Sequence, residues 1–140
     1  MKIFLSYRFT GEDKKMLSAE LGAIKKTLRE SGHDVFCSLD YEDFFTNKHM
    51  PLEEIYNYCC TQLQHHDVLL VYIKSQLPSK GITMEVNCAK EWHIPTVFAI
   101  RTGVDNVYGS GRSVLWDDLE QLCTKMHDFF NGSDISERNN

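Results

Sequence analysis

Two short stretches hold the side chains best suited to chemistry. In Ser79-Lys80-Gly81-Ile82-Thr83-Met84-Glu85, a glycine stands where a strand should pass into a helix. Gly there lets backbone N–H groups come close to a ligand, and a helix start favours negative charge. The spacing predicts Glu85 in the first turn of that helix, where the macrodipole would stabilise the ionised carboxylate that a nucleophile needs. The plainer alternative is a first-turn Glu with no chemical task. The second stretch is Ser6-Tyr7-Arg8, directly after an apolar run. An Arg is suited to clamp a phosphate or carboxylate through paired hydrogen bonds, and a Tyr to stack on a small ligand or hydrogen-bond it. The alternative for Arg8 is a pairing with Glu12 or Asp13 that merely holds the loop.

The other polar clusters point to less. His65-His66 closes a helical stretch, where such side chains suit the exposed carbonyls. Together with Cys59-Cys60 it lacks tetrahedral ligand spacing, so no metal site is expected. Receiver-type phosphotransfer needs acidic residues at the ends of the first and third strands, and Ser6 and Lys74-Ser75 stand there instead. A Walker-type phosphate loop and the dinucleotide fingerprint are both missing.

These residues are positioned by strands alternating with helices. Ile3-Phe4-Leu5 reads as a first strand, and Asp13 as the N-cap of a helix with Leu17, Leu21, Ile24 and Leu28 at helical spacing. Ser31-Gly32 should end it, and His33 to Cys37 form a second strand. The polar and aromatic stretch from Ser38 to Met50, with Asp40, Glu42 and Asp43, is irregular and reads as a lid over a site. Pro51 should open a helix whose buried stripe is Leu52, Ile55, Cys59 and Leu63. The wholly apolar Val68–Ile73 run reads as a central strand covered on both faces. A helix from about Gly81, a strand from Pro95 to Ile100, a short strand Ser113–Trp116 and a helix from Asp117 to Phe130 complete the pattern.

The expected fold is therefore α/β and doubly wound, a flavodoxin- or Rossmann-like parallel five-stranded sheet with helices on both faces. Residues 1–131 form the single expected domain and 132–140 a polar C-terminal tail. Ligands on such sheets bind beyond the carboxyl ends of the strands. That rule selects the loops Ser6–Glu12, Ser38–Met50, Lys74–Gly81 and Arg101–Arg112.

Composition narrows the function class. The 140 residues carry a net charge of -5 with no basic block, so a nucleic-acid polymer or an anionic membrane surface is not expected as partner. Any anionic ligand must be met by local donors. No apolar run approaches the ~20 residues of a membrane span, and no signal-peptide pattern opens the chain. Five cysteines without a CxxC suit a reduced, cytoplasmic protein better than a disulfide framework.

Met1–Asp13, His66–Ile73 and Ser79–Ile100 together resemble the nucleoside 2-deoxyribosyltransferase family and its nucleotide N-glycosidase relatives. The strongest element is Ser79-x-Gly81-x-x-x-Glu85 entering a helix. The resemblance implies that Glu85 attacks the anomeric carbon of a (deoxy)ribose and displaces the base, with water or a second base resolving the glycosyl-enzyme. Ser79, where transferases of free nucleosides carry Asp, resembles the branch that handles nucleoside 5′-monophosphates. Tyr7 would then orient the nucleophile or the sugar. Ser6, Arg8, Ser79, Gly81 and Asp40 would bind substrate, and no cofactor is implied. One departure stands out. The family usually carries an Asp, helping to protonate the departing base, where this chain has Cys59; Asp40, Glu42 or Asp43 would have to substitute.

Phe4-Leu5-Ser6-Tyr7-Arg8 with Gly11-Glu12-Asp13 is also similar to the first signature box of TIR domains, which implies a NAD-cleaving signalling enzyme with Glu85 catalytic. Their second box is missing from Ser38–Met50. A third alternative is a nucleotide-binding or assembly module of the same fold without catalysis. Relatives of the transferase type are oligomers, so a homodimer or higher homo-oligomer is expected. Tyr56, Tyr58 and Cys60, or Val86 and Trp92, would widen an apolar helix face for it. The loop Thr102–Arg112, with Asn106, Tyr108 and Ser110, would reach a neighbour's site or shape its own.

Overall fold

A computed structural model describes residues 1–132; the expected polar tail lies, but for Gly132, outside the described residues. The chain runs β1 (Lys2–Tyr7), α1 (Lys14–Glu30), β2 (Asp34–Cys37), a single 3-10 turn (Ser38–Tyr41), α2 (Glu42–Asn47), α3 (Leu52–Leu63) and β3 (Val68–Ile73). It continues through α4 (Lys80–Glu91), β4 (Thr96–Arg101), β5 (Arg112–Trp116) and α5 (Leu119–Asn131). All neighbouring strands pair in parallel, in the order β2-β1-β3-β4-β5. This is the expected doubly wound sheet.

Both faces of the sheet are covered. Ile3, Leu5, Leu70, Tyr72, Val97 and Ala99 meet Leu17, Leu21, Ile24 and Leu28 of α1 and Leu122, Met126 and Phe129 of α5. Phe4, Leu69, Val71, Ile73 and Phe98 meet Phe45, Cys59, Leu63, Ile82, Val86 and Ala89 from α2, α3 and α4. Every residue of β3 is buried, which explains its unbroken apolar run. Each such side chain contributes about 1.5–3 kcal/mol on leaving water.

Local signals place the helix ends. The Asp13 carboxylate accepts from Met16 N at 2.9 Å and caps α1. Gly32, at φ +89°, closes α1 as expected, with the amides of Gly32 and His33 returning to Arg29 O and Leu28 O. His66 Nδ1 bonds Gln62 O at 2.7 Å, so that histidine is part of a helix end.

Two expectations change. The Ser38–Met50 stretch is ordered into the 3-10 turn and the six-residue α2, too short to show a helical period in the sequence. Aromatic packing holds it: Tyr41 stacks on Phe36 with centroids 5.0 Å apart, and Tyr58 meets Phe45 at 5.5 Å. Leu52, expected in the core, is exposed: it is the first residue of α3, whose inward face begins with the half-buried Ile55. Tyr56 and Tyr58, expected to widen a dimer face, are half-buried and also make contacts within the chain, which leaves that expectation as it stood. Tyr56 lies against α4 at Gly81 and Tyr58 against α2. No helix among the described residues is long and apolar enough to cross a membrane.

Candidate active site

In this strand order the chain leaves β1 toward β2 and then returns across it to β3. The carboxyl ends of β1 and β3 therefore diverge into loops on opposite faces and leave a crevice between them. The crevice is a cavity of about 520 Å³, within the range of small-molecule sites. Tyr7, Arg8, Ser79, Gly81 and Glu85 all line it, although 78 positions separate the first from the last. Phe9, Leu39, Phe45, Met50 and Ile55 supply apolar wall.

Ser6, expected to bind substrate, does not line the cavity and stands behind that wall. It is the one fully buried polar side chain among the described residues, and a buried hydroxyl needs a partner. Its Oγ donates to Glu85 Oε1 at 2.6 Å. The last turn of β1 is thus fastened to α4 through the residue expected to do the chemistry.

The electrostatics of Glu85 differ from expectation. Helix α4 begins at Lys80 with Ser79 as its N-cap, so Glu85 falls in the second turn and not the first. The macrodipole fades within one turn, and burial decides instead. Desolvation pushes the carboxyl up from 4.5 to about 7, with the Ser6 hydrogen bond opposing it. A carboxyl so placed exchanges its proton near neutrality.

Tyr7 reaches across to the 3-10 turn after β2, where its hydroxyl and the Ser38 hydroxyl share a hydrogen bond of 2.8 Å. Burial drives the phenol far above its usual 10.0, with smaller contributions from neighbouring acidic groups that include Glu85. It remains a neutral phenol. Cys59 also lines the cavity, and burial, followed by the nearby Glu85 carboxylate, pushes its thiol up to about 12.

Arg8 makes the loop-holding pair with Glu12 and also stands in the cavity wall. Nη1 pairs with Glu12 Oε1 at 3.0 Å and Nε donates to Pro78 O at 3.3 Å, while the residue still lines the cavity. Gly11, at φ +82°, allows this: a Cβ there would stand 2.9 Å from Arg8 Nη2. Glu12 is in turn 4.0 Å from Lys74 Nζ, and Lys74 bonds Glu20 at 2.8 Å.

Ser79 Oγ accepts from Ile82 N at 3.2 Å, which makes it a helix cap as well as a cavity residue. The amides of the first turn have no intrahelical carbonyl, so those of Lys80 and Gly81 sit at a natural anion site in the wall. The Tyr56 ring lies 3.4 Å from where a Gly81 Cβ would stand. The loop after β4 steadies this end from outside, with Ser79 N donating to Tyr108 Oη at 3.0 Å and Asp105 N to Gln76 Oε1 at 2.9 Å. Of the two roles anticipated for Thr102–Arg112, this is the bracing of its own site.

Asp40, expected to bind substrate, is turned away. It pairs with Lys25 and Arg29 of α1 and does not line the cavity, because the 3-10 turn carries it to the other side of β2. Of the three acidic residues in that segment only Glu42 lines the cavity, and it pairs with Lys14 at 2.8 Å. Ser38, His49 and Tyr56 also line it and were not expected in a site, Tyr56 having been expected on an oligomer face. Ser38 was accessible to the carboxyl-end rule, as the first residue after β2. His49 sits at φ 51° in the closing turn of α2, where Met50 N returns to Phe45 O at 3.1 Å. Such a turn usually takes Gly. No cluster of three or more metal-binding side chains occurs among the described residues.

The five-stranded doubly wound sheet is a fold shared with several solved proteins. A CMP N-glycosidase of Clostridium botulinum superposes with a TM-score of 0.65 at 12% identity, over 90% of this chain and 97% of that one. A 2-deoxyribosyltransferase of Bacillus psychrosaccharolyticus gives 0.68 at 16%, over 98% and 95%. A phosphoheptose isomerase of Francisella tularensis gives 0.53 at 14%, over 90% of this chain and 69% of that one. No protein-family model and no curated protein matches the sequence. The chain thus has the fold of the N-glycosidase and the deoxyribosyltransferase, and the isomerase illustrates that fold alone does not set activity.

Proposed function

We propose that this chain cleaves, or transfers across, the N-glycosidic bond of a nucleoside 5′-monophosphate, with Glu85 as nucleophile. The observation that carries the reading is a single desolvated carboxyl, held by Ser6, in the wall of a 520 Å³ cavity at the switch point. An ionised Glu85 attacks the anomeric carbon, the carbon–nitrogen bond breaks, and its electron pair leaves with the base. Water or a second base then displaces Glu85 from the same carbon and regenerates the carboxylate. Arg8 and the Ser79–Gly81 helix start face the 5′-phosphate, and Tyr7 hydrogen-bonds the sugar or the attacking oxygen. This chemistry calls on no cofactor.

Cys59 cannot supply a carboxylic proton, and Glu42, the other carboxyl in the cavity wall, must leave its pairing with Lys14 and take up a proton before it can protonate the departing base. The same Cys59 favours the second reading, a nucleotide-binding module without turnover. Release of free base from a panel of nucleosides, their 5′-monophosphates and NAD distinguishes the readings. Glu85→Gln should reduce release by about a thousandfold or more, and a trapped glycosyl ester should add the sugar phosphate to Glu85. Turnover of NAD alone would replace this reading by the TIR-like one. Tight binding without any Glu85-dependent turnover would overturn catalysis.

A further inference from the structure

The strongest unassigned feature lies just outside the cavity, where α3 packs on α4. Cys60 Sγ and Cys88 Sγ are 2.8 Å apart, inside the ~3.5–4.0 Å at which non-bonded heavy atoms settle. We propose that Cys60 and Cys88 are a redox modification site, at which a peroxide converts the two thiols into a disulfide stapling α3 to α4. A disulfide bond is about 2.05 Å long, so closure needs under ~1 Å of travel from the 2.8 Å contact.

The two thiols differ in a way that orders the reaction. Cys88 is half-buried and the more exposed of the two, whereas Cys60 is buried with its sulfur toward Met84 O. Cys88, as thiolate, attacks one peroxide oxygen; the O–O bond breaks, leaving a sulfenic acid and, with the thiol proton, one water. Cys60 sulfur then displaces the sulfenic oxygen as a second water, and the S–S bond forms. In sum two thiols and one hydrogen peroxide give one disulfide and two waters. The sulfurs of Cys37, Cys59 and Cys123 make no such contact: Cys37 lies in the opposite core and Cys59 in the cavity wall.

The position gives the bond leverage. Cys60 is one helical turn beyond Tyr56, and Cys88 one turn beyond Glu85, both cavity residues. A staple there fixes the two helices that face each other across the site and closes a loop of ~30 residues.

The test uses the full chain, reduced and then treated with stoichiometric hydrogen peroxide, followed by thiol blocking and non-reducing peptide mapping. Two of the five thiols should disappear, with a peptide pair linked through Cys60 and Cys88. The chain should lose about 2 Da and melt about 10 °C higher, both changes reversed by dithiothreitol. Cys88→Ser, at the half-buried position, should abolish the link, and Cys60→Ser should do the same. Oxidation to sulfinic acid without a link would overturn the proposal. So would a link through Cys59 or Cys123, or cross-linking between copies.

Discussion

Replacing Glu85 by Gln tests the electrostatics of the site without reference to any substrate. Gln keeps the shape and still accepts the Ser6 hydroxyl, now at 2.6 Å from Glu85 Oε1, but it cannot ionise. Burial raises the Glu85 carboxyl from 4.5 to about 7. In the folded chain the proton is therefore held more tightly than in the unfolded one. The stability this contributes is fully present below pH 4.5 and is lost as pH rises through about 7. At about 1.36 kcal/mol per pH unit the displacement amounts to about 3 kcal/mol. Wild type should thus lose about 3 kcal/mol relative to Glu85→Gln between pH 4.5 and 8, or about 10 °C in Tm for a chain of this size. Any cost of burying the Gln amide is independent of pH and cancels in the difference. Parallel melts of the two proteins from pH 4 to 8 measure it, and kcat/KM for any substrate found should rise with pH to half its plateau near 7. A difference in Tm that stays flat across this range would refute the argument, since it would mean a hydrated carboxyl with an ordinary proton affinity.

His49→Gly should stabilise the protein by about 1 kcal/mol, because φ 51° costs a histidine what it does not cost glycine; a raised urea midpoint at unchanged slope is the check. Gly111→Ala should destabilise by about 1–3 kcal/mol, since its Cβ would stand 2.6 Å from Thr96 O and 3.0 Å from the Phe98 ring. Equilibrium unfolding reads it directly. Ser79→Ala should cost about 1 kcal/mol through loss of the cap on Ile82 N, whereas Ser79→Asp should hold stability and add negative charge to the cavity wall. Titration calorimetry should then show a 5′-monophosphate weakened by about tenfold or more, and the matching nucleoside changed by less than about threefold.

The order of strands and helices was legible because each element signals locally. The apolar run of β3, the period of Leu17, Leu21, Ile24 and Leu28, the Asp13 cap and the Gly32 stop are contained in short windows of sequence. From that order alone the carboxyl-end rule points to the loops that carry Tyr7, Arg8, Ser79 and Gly81, all of which line the cavity. The sequence by itself therefore determined the architecture and the edge of the sheet where a site must be. The tertiary structure decided the state and company of the residues there. Glu85 is governed by desolvation and Ser6 instead of by the helix start, since burial is a property of what packs around a side chain and not of its neighbours in sequence. Asp40 leaves the site for Lys25 and Arg29 while Glu42, two residues on, enters it, because a single 3-10 turn rotates one outward and the next inward. Cys60 meets Cys88 for the same reason: two helices far apart along the chain were brought to one face of the sheet, and only their packing sets which side chains touch.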